Sequence, residues 1–90
     1  MDKDSEGFYV VAMDFAIELM SDTDRLAVAQ AKMNEYMKNG VRLAWLIQPK
    51  KRKTWVYKQD SEVKEQSFDV PLSGQDVLVG FELDLSKIFG

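Results

Sequence analysis

The sequence predicts an α+β domain with an α/β-like core, in which a small mixed β-sheet packs against one main helix. Residues 14–19 and 41–48 are apolar runs with the aromatic and β-branched side chains that favour strands. Between them, apolar residues recur at steps of three and four, which is the period of an amphipathic helix. This order of strand, helix and strand favours a parallel βαβ unit with a right-handed crossover.

The first predicted strand carries an acid among apolar residues. It covers residues 14–19, and the side chains before it favour an extension back to Phe8. Because burying an unpaired carboxylate is costly, Glu18 needs a compensating partner or a function. The period of two divides the strand into one face with Phe15, Ile17 and Leu19, and another with Asp14, Ala16, Glu18 and Met20.

The predicted helix begins after residues 21–24, whose sequence SDTD supplies N-cap side chains. It runs to about Asn39, because an Asn-Gly pair such as Asn39-Gly40 is a typical helix end. The connection before it is short, which suits a packed strand–helix unit. The apolar stripe comprises Leu26, Ala29, Met33, Tyr36 and Met37.

Further strands are predicted after the helix. Residues 41–48 are apolar on both faces apart from Arg42 and Gln48, so this strand is expected to be central. The remaining predicted elements are a turn at 49–53, an antiparallel strand at 54–59, an edge strand at 62–68, a loop at 69–80 and an alternating segment at 81–89.

Composition excludes several kinds of site. The 90 residues include no histidine and no cysteine, which excludes disulfides, zinc sites and catalytic triads that need either residue. Any metal is therefore expected to be a hard ion bound by carboxylates. No apolar run approaches the roughly 18–20 residues of a membrane span, and the acidic start is unlike a signal peptide. We expect a cytoplasmic protein without a membrane partner, with a disordered tail at residues 1–7 and one domain at residues 8–90.

The net charge of −3 conceals an uneven distribution. Residues 25–58 carry nine basic residues and one acidic residue, whereas residues 1–24 and 59–90 carry seven acidic residues each. The basic segment is suited to the phosphates of a nucleic acid. Alternatively, it pairs with the acidic flanks within the fold or across subunits.

Two long segments resemble a known family. Residues 14–58 read DFAIELMSDTDRLAVAQAKMNEYMKNGVRLAWLIQPKKRKTWVYK, and residues 72–89 read LSGQDVLVGFELDLSKIF. They are similar to the Uma family of restriction-endonuclease-like proteins, whose members read approximately P-D-F-V-[IV]-E-[LV], then K-M-x-E-Y, then N-G-V-R-L-G-W-L-I-D-P. The family's tail, L-S-G-E-x-V-L-P-G-F-x-L-D-L-x-x-I-F, also matches. The resemblance covers about residues 13–89.

The resemblance implies the PD-(D/E)XK nuclease fold and cleavage of phosphodiesters with Mg²⁺ or Mn²⁺. Glu18 matches the family's metal-binding, catalytic acid. The usual lysine two residues later is Met20 here, and Lys32 matches the helical position that carries the basic group in some branches. Tyr36 matches the tyrosine of a Gln-x-x-x-Tyr element. Each of these roles has a structural alternative. Lys32 would be a solvated lysine, Tyr36 would pack in the core, and Glu18 would form a buried pair with an arginine such as Arg42.

The resemblance extends only to the C-terminal half of the family pattern, so we expect a truncated restriction-endonuclease-like fold. The first half of that pattern supplies a second metal-binding acid. Asp14 does not replace it, because four residues along a strand span ~13 Å, whereas ligands of one ion lie within ~5 Å of each other. Without the first half, strand 14–19 is expected to have a bare edge and face. This favours a homo-oligomer with its interface at Phe8, Val10, Phe15 and Ile17.

A basic cluster lies in the predicted turn at residues 49–53. Lys50, Lys51, Arg52 and Lys53 are candidates for binding DNA or another nucleic acid through its phosphates. The alternative is a hairpin tip that its charges keep soluble. Trp55 and Tyr57 follow on one strand face, where they either stack on bases or pack within the hairpin.

Three functions follow from these observations. The first is a truncated nuclease-like domain without independent catalysis, which acts as an oligomeric interaction or binding module. The second is an endonuclease dependent on Mg²⁺ or Mn²⁺, with Glu18, Lys32 and Tyr36 in a site completed across subunits. The third is a nucleic-acid-binding domain that does not cleave.

Overall fold

The structure, a computed structural model, describes residues 8–11 and 14–90. The predicted tail at residues 1–7 lies outside this range. In chain order the elements are β1 (Phe8–Val11), β2 (Phe15–Leu19), α1 (Leu26–Lys38), β3 (Leu43–Gln48), β4 (Lys53–Lys58), β5 (Lys64–Ser67), β6 (Leu72–Ser73), β7 (Glu82–Leu83) and α2 (Leu85–Phe89). Within the described ranges, no helix is long and apolar enough to cross a bilayer.

One mixed sheet contains the first five strands, in the order β1-β2-β3-β4-β5. β2 and β3 are parallel, with Glu18 opposite Leu46, and α1 lies between them in the chain. All other neighbouring strands in this sheet are antiparallel. β3 is central and is buried from Leu43 to Ile47, as its apolar faces predict. The predicted α+β architecture, with a mixed sheet and one main helix, is confirmed.

The expected extension of the first strand back to Phe8 is wrong. The chain bends at Asp14, and β1 pairs antiparallel with β2, so that Phe8 lies opposite Leu19 and Val11 opposite Ala16. This pairing satisfies backbone groups along the outer edge of β2, which one long strand would leave open. The expected bare edge of β2 is therefore also wrong, because β1 covers it.

The helix begins just after its cap signal at residues 21–24, and none of those four residues is its N-cap. Arg25 is the N-cap of α1 and makes no side-chain capping hydrogen bond. The Asp24 carboxylate instead accepts a hydrogen bond from the Ser21 amide at 2.9 Å, and the Asp24 amide donates to the Ser21 carbonyl at 3.2 Å. These bonds close the loop between β2 and α1. The predicted end is confirmed, since Gly40 follows α1 with a φ of +97° that favours glycine.

Two apolar cores lie on opposite faces of the sheet. The core beneath α1 includes Met20, Met33 and Leu46, and also Trp55 and Tyr57. Those two aromatic residues are 7% and 4% exposed, so they pack in the hairpin rather than offering faces to nucleic-acid bases. The other face is covered by the C-terminal segment. The core on this second face comprises Leu43, Trp45, Ile47, Val56, Phe68, Leu72 and Leu85.

The C-terminal segment forms short β6 and β7 and the single-turn helix α2, rather than one alternating strand. Asp84 begins α2 by accepting hydrogen bonds from the Ser86 amide at 3.1 Å and the Ser86 hydroxyl at 2.6 Å. These bonds to Ser86 hold the pKa of Asp84 below its ordinary value. The Asp84 cap therefore starts a helix at Leu85, although the alternation of Phe81, Leu83 and Leu85 is typical of a strand.

The turn between β6 and β7 requires glycine at position 74. A Cβ at Gly74 would lie 2.3 Å from the Leu78 carbonyl oxygen. We expect Gly74→Ala to lower the free energy of unfolding by about 1–3 kcal/mol, because the backbone must move apart. The check is urea denaturation at one fixed protein concentration. Val79→Ala is the control, since Val79 is 84% exposed in the same turn. Equal midpoints for the two variants would contradict this close contact.

Burial raises the pKa of Tyr57 above its ordinary value. The unfolded chain therefore ionises this phenol at lower pH than the folded protein does. The stability that Tyr57 contributes is present below a pH of about 10 and is lost as the pH rises towards its folded pKa. We expect the free energy of unfolding to fall more steeply for the wild type than for Tyr57→Phe between about pH 9 and 11. Parallel pH profiles would exclude this linkage.

Candidate functional site

The candidate site centres on Glu18, near the carboxyl end of β2. Its side chain lies on the face that α1 covers, where its neighbours Ala16 and Met20 are part of the apolar core. Glu18 is itself only 2% exposed. An ionised carboxylate in such surroundings is costly unless an opposite charge and hydrogen bonds compensate it. A cation close to Glu18 is therefore a requirement of the fold.

Lys32 supplies that positive charge from α1. Ala29 and Met33 on the same helix are buried against the sheet, and they fix the height and rotation of α1. The ammonium Nζ of Lys32 lies 3.4 Å from Oε2 of Glu18. The side chain of Lys32 is 31% exposed and that of Glu18 is 3% exposed, so the lysine reaches from the surface to a buried acid. The ion pair joins β2 to α1.

A small cleft opens beside this ion pair. It has a volume of about 130 Å³ and lies between the carboxyl end of β2 and the first turns of α1. Glu18 and Lys32 line it together with Asp24 and Arg25, and Val28 and Ala29 complete its wall. Clefts at the carboxyl ends of parallel strands are common binding sites in α/β folds. The position therefore qualifies as a candidate site on geometry alone.

Asp24 and Arg25 are site residues that the sequence did not indicate. The SDTD sequence favoured a capping role for Asp24, but its carboxylate holds the Ser21 amide instead. This turn places both residues at the mouth of the cleft. Their position in the sequence could have indicated them. A loop directly after the strand that carries Glu18 must lie near the carboxyl end of that strand.

Tyr36 lies apart from the cleft. It is one turn beyond Lys32 on α1, half-buried, and packs against the core beneath the helix. The cleft lining does not include it. The structure therefore brings two of the three predicted catalytic residues, Glu18 and Lys32, into one cleft, and it places the tyrosine against the core.

Arg42, the suggested arginine partner of Glu18, lies elsewhere. Its guanidinium is 3.5 Å from the Asp76 carboxylate, and both side chains are exposed. Arg42 precedes β3, whereas Glu18 is near the carboxyl end of β2, which runs parallel to it. The suggested pair with Arg42 is therefore wrong, because the parallel register separates the two residues and Lys32 reaches Glu18 instead.

The acidic residues of the cleft fit a divalent ion only in part. Among residues 8–11 and 14–90, no group of three acidic side chains could hold a metal. Two carboxylates, Glu18 and Asp24, line the cleft, but the Lys32 ammonium lies beside Glu18 and opposes a second cation there. Asp14 is exposed at the other end of β2, four positions away. Among the described residues, the cleft thus offers two carboxylates and one ammonium that opposes a cation.

The predicted basic cluster forms the hairpin between β3 and β4. Gln48 pairs with Lys53 at the base of this hairpin. Two residues earlier on β3, Leu46 lies between Trp55 on β4 and Glu18 on β2. Lys53 makes an ion pair with Glu65 at 3.2 Å. The Arg52 guanidinium lies 5.1 Å from the centre of the Phe68 ring. Both contacts hold part of the cluster against the protein.

Lys50 and Lys51 are the other two cations of this hairpin. Both are exposed. The hairpin lies at the carboxyl end of β3, which is the same end of the sheet as the Glu18 cleft.

The predicted oligomer interface combines residues with different environments. Phe8 lies opposite Leu19 and Val10 lies opposite Ile17 in the β1–β2 register. Their side chains lie outside the described part of the structure. Phe15 and Ile17 are half-buried beside the core under the C-terminal segment. The Phe15 ring makes an edge contact with Trp45 at a centroid distance of 4.9 Å, so much of its surface is used within the chain.

Replacing Lys32 should show how far the stability of the fold depends on a positive charge beside the buried Glu18 carboxylate. We expect Lys32→Met to lower the free energy of unfolding by about 3 kcal/mol, because Glu18 would lose a compensating charge. Adding Glu18→Gln to that variant should recover a large part of the loss, since a neutral amide replaces the carboxylate. Urea denaturation of the three variants measures both effects. Lys38→Met, an exposed lysine on the same helix, should cost less than about 1 kcal/mol. Equal losses for Lys32→Met and Lys38→Met would contradict the structural role of the pair.

Two comparisons with known proteins agree with this architecture. The model of the Uma2 family, described as "Putative restriction endonuclease", matches residues 2–86. A crystal structure of "a putative nuclease belonging to DUF820" from Anabaena variabilis ATCC 29413 superposes with a TM-score of 0.76 at 21% identity. The match covers 89% of this chain and 45% of that nuclease, so this chain spans less than half of its length.

At 21% identity the structural match establishes the fold alone. No functionally curated protein is significantly similar in sequence. The family match nevertheless covers nearly the whole sequence, including β2, α1 and the β3–β4 hairpin. The predicted resemblance is therefore confirmed, and the chain belongs to the Uma2 family of restriction-endonuclease-like proteins.

Proposed function

We propose that this chain, by itself, is a restriction-endonuclease-like module that does not cleave nucleic acid and acts through association with a second copy or another partner. The observation that supports this proposal is the state of Glu18. The acid expected to bind a metal is 2% exposed and lies 3.4 Å from the Lys32 ammonium. The fold already uses the charge of Glu18 to hold α1 on the sheet.

The chemistry of a metal site supports the same proposal. Mg²⁺ in proteins is held by one or two carboxylates together with water and substrate phosphates. Cleavage also needs a group that orients the attacking water and charges that stabilise the transition state. Glu18 and Asp24 supply two carboxylates beside the Lys32 ammonium, and the described residues provide no group of three acids that could hold a metal.

Self-association is supported by exposed apolar surface. Large apolar side chains that are at least 39% exposed include Val79, Phe81, Ile88 and Phe89 near the C-terminus. A small domain buries a limited share of its surface, so contacts between subunits stabilise it further.

A second candidate is an endonuclease dependent on Mg²⁺ or Mn²⁺, whose site another subunit completes. The observation that favours it is the meeting of Glu18, Lys32 and Asp24 in one cleft. In this version Glu18 would help to hold the metal, and Lys32 would orient the attacking water or offset charge on the scissile phosphate. The partner would supply the missing acid.

A nucleic acid is one class of partner that the surface of the proposed module suits. Lys50 and Lys51 are exposed on the hairpin at the same end of the sheet as the cleft. Such a surface would bind phosphates without reading sequence, and its affinity would fall steeply with salt concentration. Arg52 and Lys53 would contribute less, because each has a contact within the protein.

A combined cleavage and mass measurement tests the proposal. Plasmid and single-stranded DNA are incubated with the wild type and Glu18→Gln, in Mg²⁺ and in Mn²⁺, while light scattering gives the mass of the same samples. We expect intact DNA from both proteins and a mass above that of a monomer. Metal-dependent cleavage that Glu18→Gln abolishes would overturn the proposal in favour of the endonuclease.

Binding of the same DNA is measured at low and high salt, with Lys50→Gln/Lys51→Gln beside the wild type. Weaker binding by the double variant would identify nucleic acid as the partner. Identical binding, or none at low salt, would exclude the hairpin as a nucleic-acid interface.

A further inference from the structure

Apolar contacts hold the C-terminal segment, residues 72–89, against the sheet face opposite α1. Leu72 and Leu85 are each 1% exposed in the core on that face. The Phe81 ring stacks on Trp45 at a centroid distance of 6.2 Å. The association of the segment with the sheet therefore depends on the burial of apolar surface.

Polar contacts contribute little to this association. Within residues 8–11 and 14–90, the ion pair between Arg42 and Asp76 is the one polar side-chain contact from the segment to the rest of the chain, at 3.5 Å. The two side chains are 49% and 77% exposed. An ion pair that is so open to solvent adds little to stability.

The backbone hydrogen bonds of the segment stay within it. β6 and β7 pair with each other, the Gly74 amide donates to the Phe81 carbonyl at 2.8 Å, and Asp84 caps α2. In the described part of the chain, no backbone hydrogen bond joins residues 72–89 to the five-stranded sheet. The segment can therefore leave the sheet with its own hydrogen bonds intact.

The other face of the sheet is tied to its cover by polar contacts. The Lys32 ammonium lies 3.4 Å from the buried Glu18 carboxylate. At the far end of α1, the Gln59 side-chain amide donates to the carbonyls of Met37 at 2.9 Å and Val41 at 2.7 Å. These contacts join α1 to β2 and to the residue that follows β4. We therefore expect α1 to stay on the sheet under conditions in which the C-terminal segment leaves it.

Two buried polar groups on the face under the segment oppose its closure. The indole Nε1 of Trp45 and the hydroxyl Oγ1 of Thr54 have no hydrogen-bond partner among the described residues. Trp45 is 1% exposed and Thr54 is fully buried, and Thr54 shares the face of its neighbour Val56 in this core. An unpaired buried donor or acceptor destabilises the state that removes it from water. Because the Phe81 ring lies on Trp45, lifting the segment would return the indole N–H to water.

We propose that residues 72–89 form a strap that opens as a unit while α1 and the five-stranded sheet stay folded. Burial of Leu72 and Leu85 favours the closed state, so the open state is the minor one. Opening uncovers Phe15 and Ile17, two residues that the sequence predicts at an interface and that pack against the core under the strap. The Glu18 cleft lies on the other face and is unchanged. The strap does not depend on the association proposed above, but it would control access to this apolar face.

The two tryptophans report on the two faces separately, since Trp45 lies under the strap and Trp55 lies under α1. Trp55→Phe leaves Trp45 as the one reporter, and Trp45→Phe leaves Trp55. The test is quenching by acrylamide during a urea titration, with far-ultraviolet circular dichroism of the same samples. We expect the quenching midpoint of Trp45 to lie at lower urea than the loss of circular dichroism, and that of Trp55 to coincide with this loss. Quenching of both tryptophans together with the loss of circular dichroism would overturn the strap.

Leu72→Ala, added to each single-tryptophan protein, weakens the contact between the strap and the sheet. We expect it to shift the quenching midpoint of Trp45 to lower urea and to leave that of Trp55 in place. Val79→Ala is the control, because Val79 is 84% exposed on the strap and should shift neither midpoint. Equal shifts of both midpoints by Leu72→Ala would show that strap and sheet unfold as one unit, which would overturn the proposal.

Hydrogen exchange of the wild type makes the same distinction without a variant. The Gly74 amide is bonded within the strap, whereas the Met20 amide donates to the Ile47 carbonyl of β3 at 2.9 Å. The urea dependence of exchange rises with the surface that an opening exposes. We expect a weaker dependence for Gly74 than for Met20, because only the strap and the sheet face beneath it become exposed. A dependence equal to that of Met20, or none at all, would contradict opening of the strap as a unit.

Discussion

The ion pair between Glu18 and Lys32 is the interaction on which the arrangement of sheet and helix depends. It spans 3.4 Å from the second strand of the sheet to the main helix and lies at the border between the apolar core and solvent. A carboxylate that is only 3% exposed requires a neighbouring cation. The rotation of the helix is therefore set by two demands, the burial of Ala29 and Met33 and the position of Lys32. The candidate site is a direct product of this packing.

The strands and the main helix could be predicted because their signals are local. The apolar run before Gln48 gave a central strand, and Asn39-Gly40 gave the end of the helix. The family resemblance gave the nuclease-like fold. It also singled out Glu18 and Lys32, which the structure brings together in one cleft.

Two of the errors have a common physical cause, which is competition between partners that are distant in sequence. The bend at Asp14 allows Phe8–Val11 to cover the edge of the neighbouring strand, and local propensity carries no information about that edge. Asp24 is a local case, because its carboxylate accepts a hydrogen bond from the Ser21 amide three residues away. A pair of Glu18 with Arg42 is one of the alternatives that the sequence leaves open, and only the strand register shows that Arg42 lies beside Asp76.

The two faces of the sheet divide the proposed roles. The face under the main helix carries the buried ion pair and the small charged cleft. The other face carries a groove lined by apolar side chains, together with the exposed aromatic residue Phe81. The first face keeps an acid of the nuclease fold, and that acid forms an ion pair within the protein.

The central claim is that Glu18 stabilises the fold as the partner of Lys32 rather than as a metal ligand. Thermal unfolding with and without Mn²⁺, for the wild type and Glu18→Gln, tests this claim most directly. A ligand that binds only the folded state stabilises it by about 2.7 kcal/mol at a hundred times its dissociation constant. We predict that millimolar Mn²⁺ leaves the midpoint of the wild type unchanged. A rise in the wild-type midpoint that Glu18→Gln abolishes would contradict the claim and assign Glu18 to a metal site.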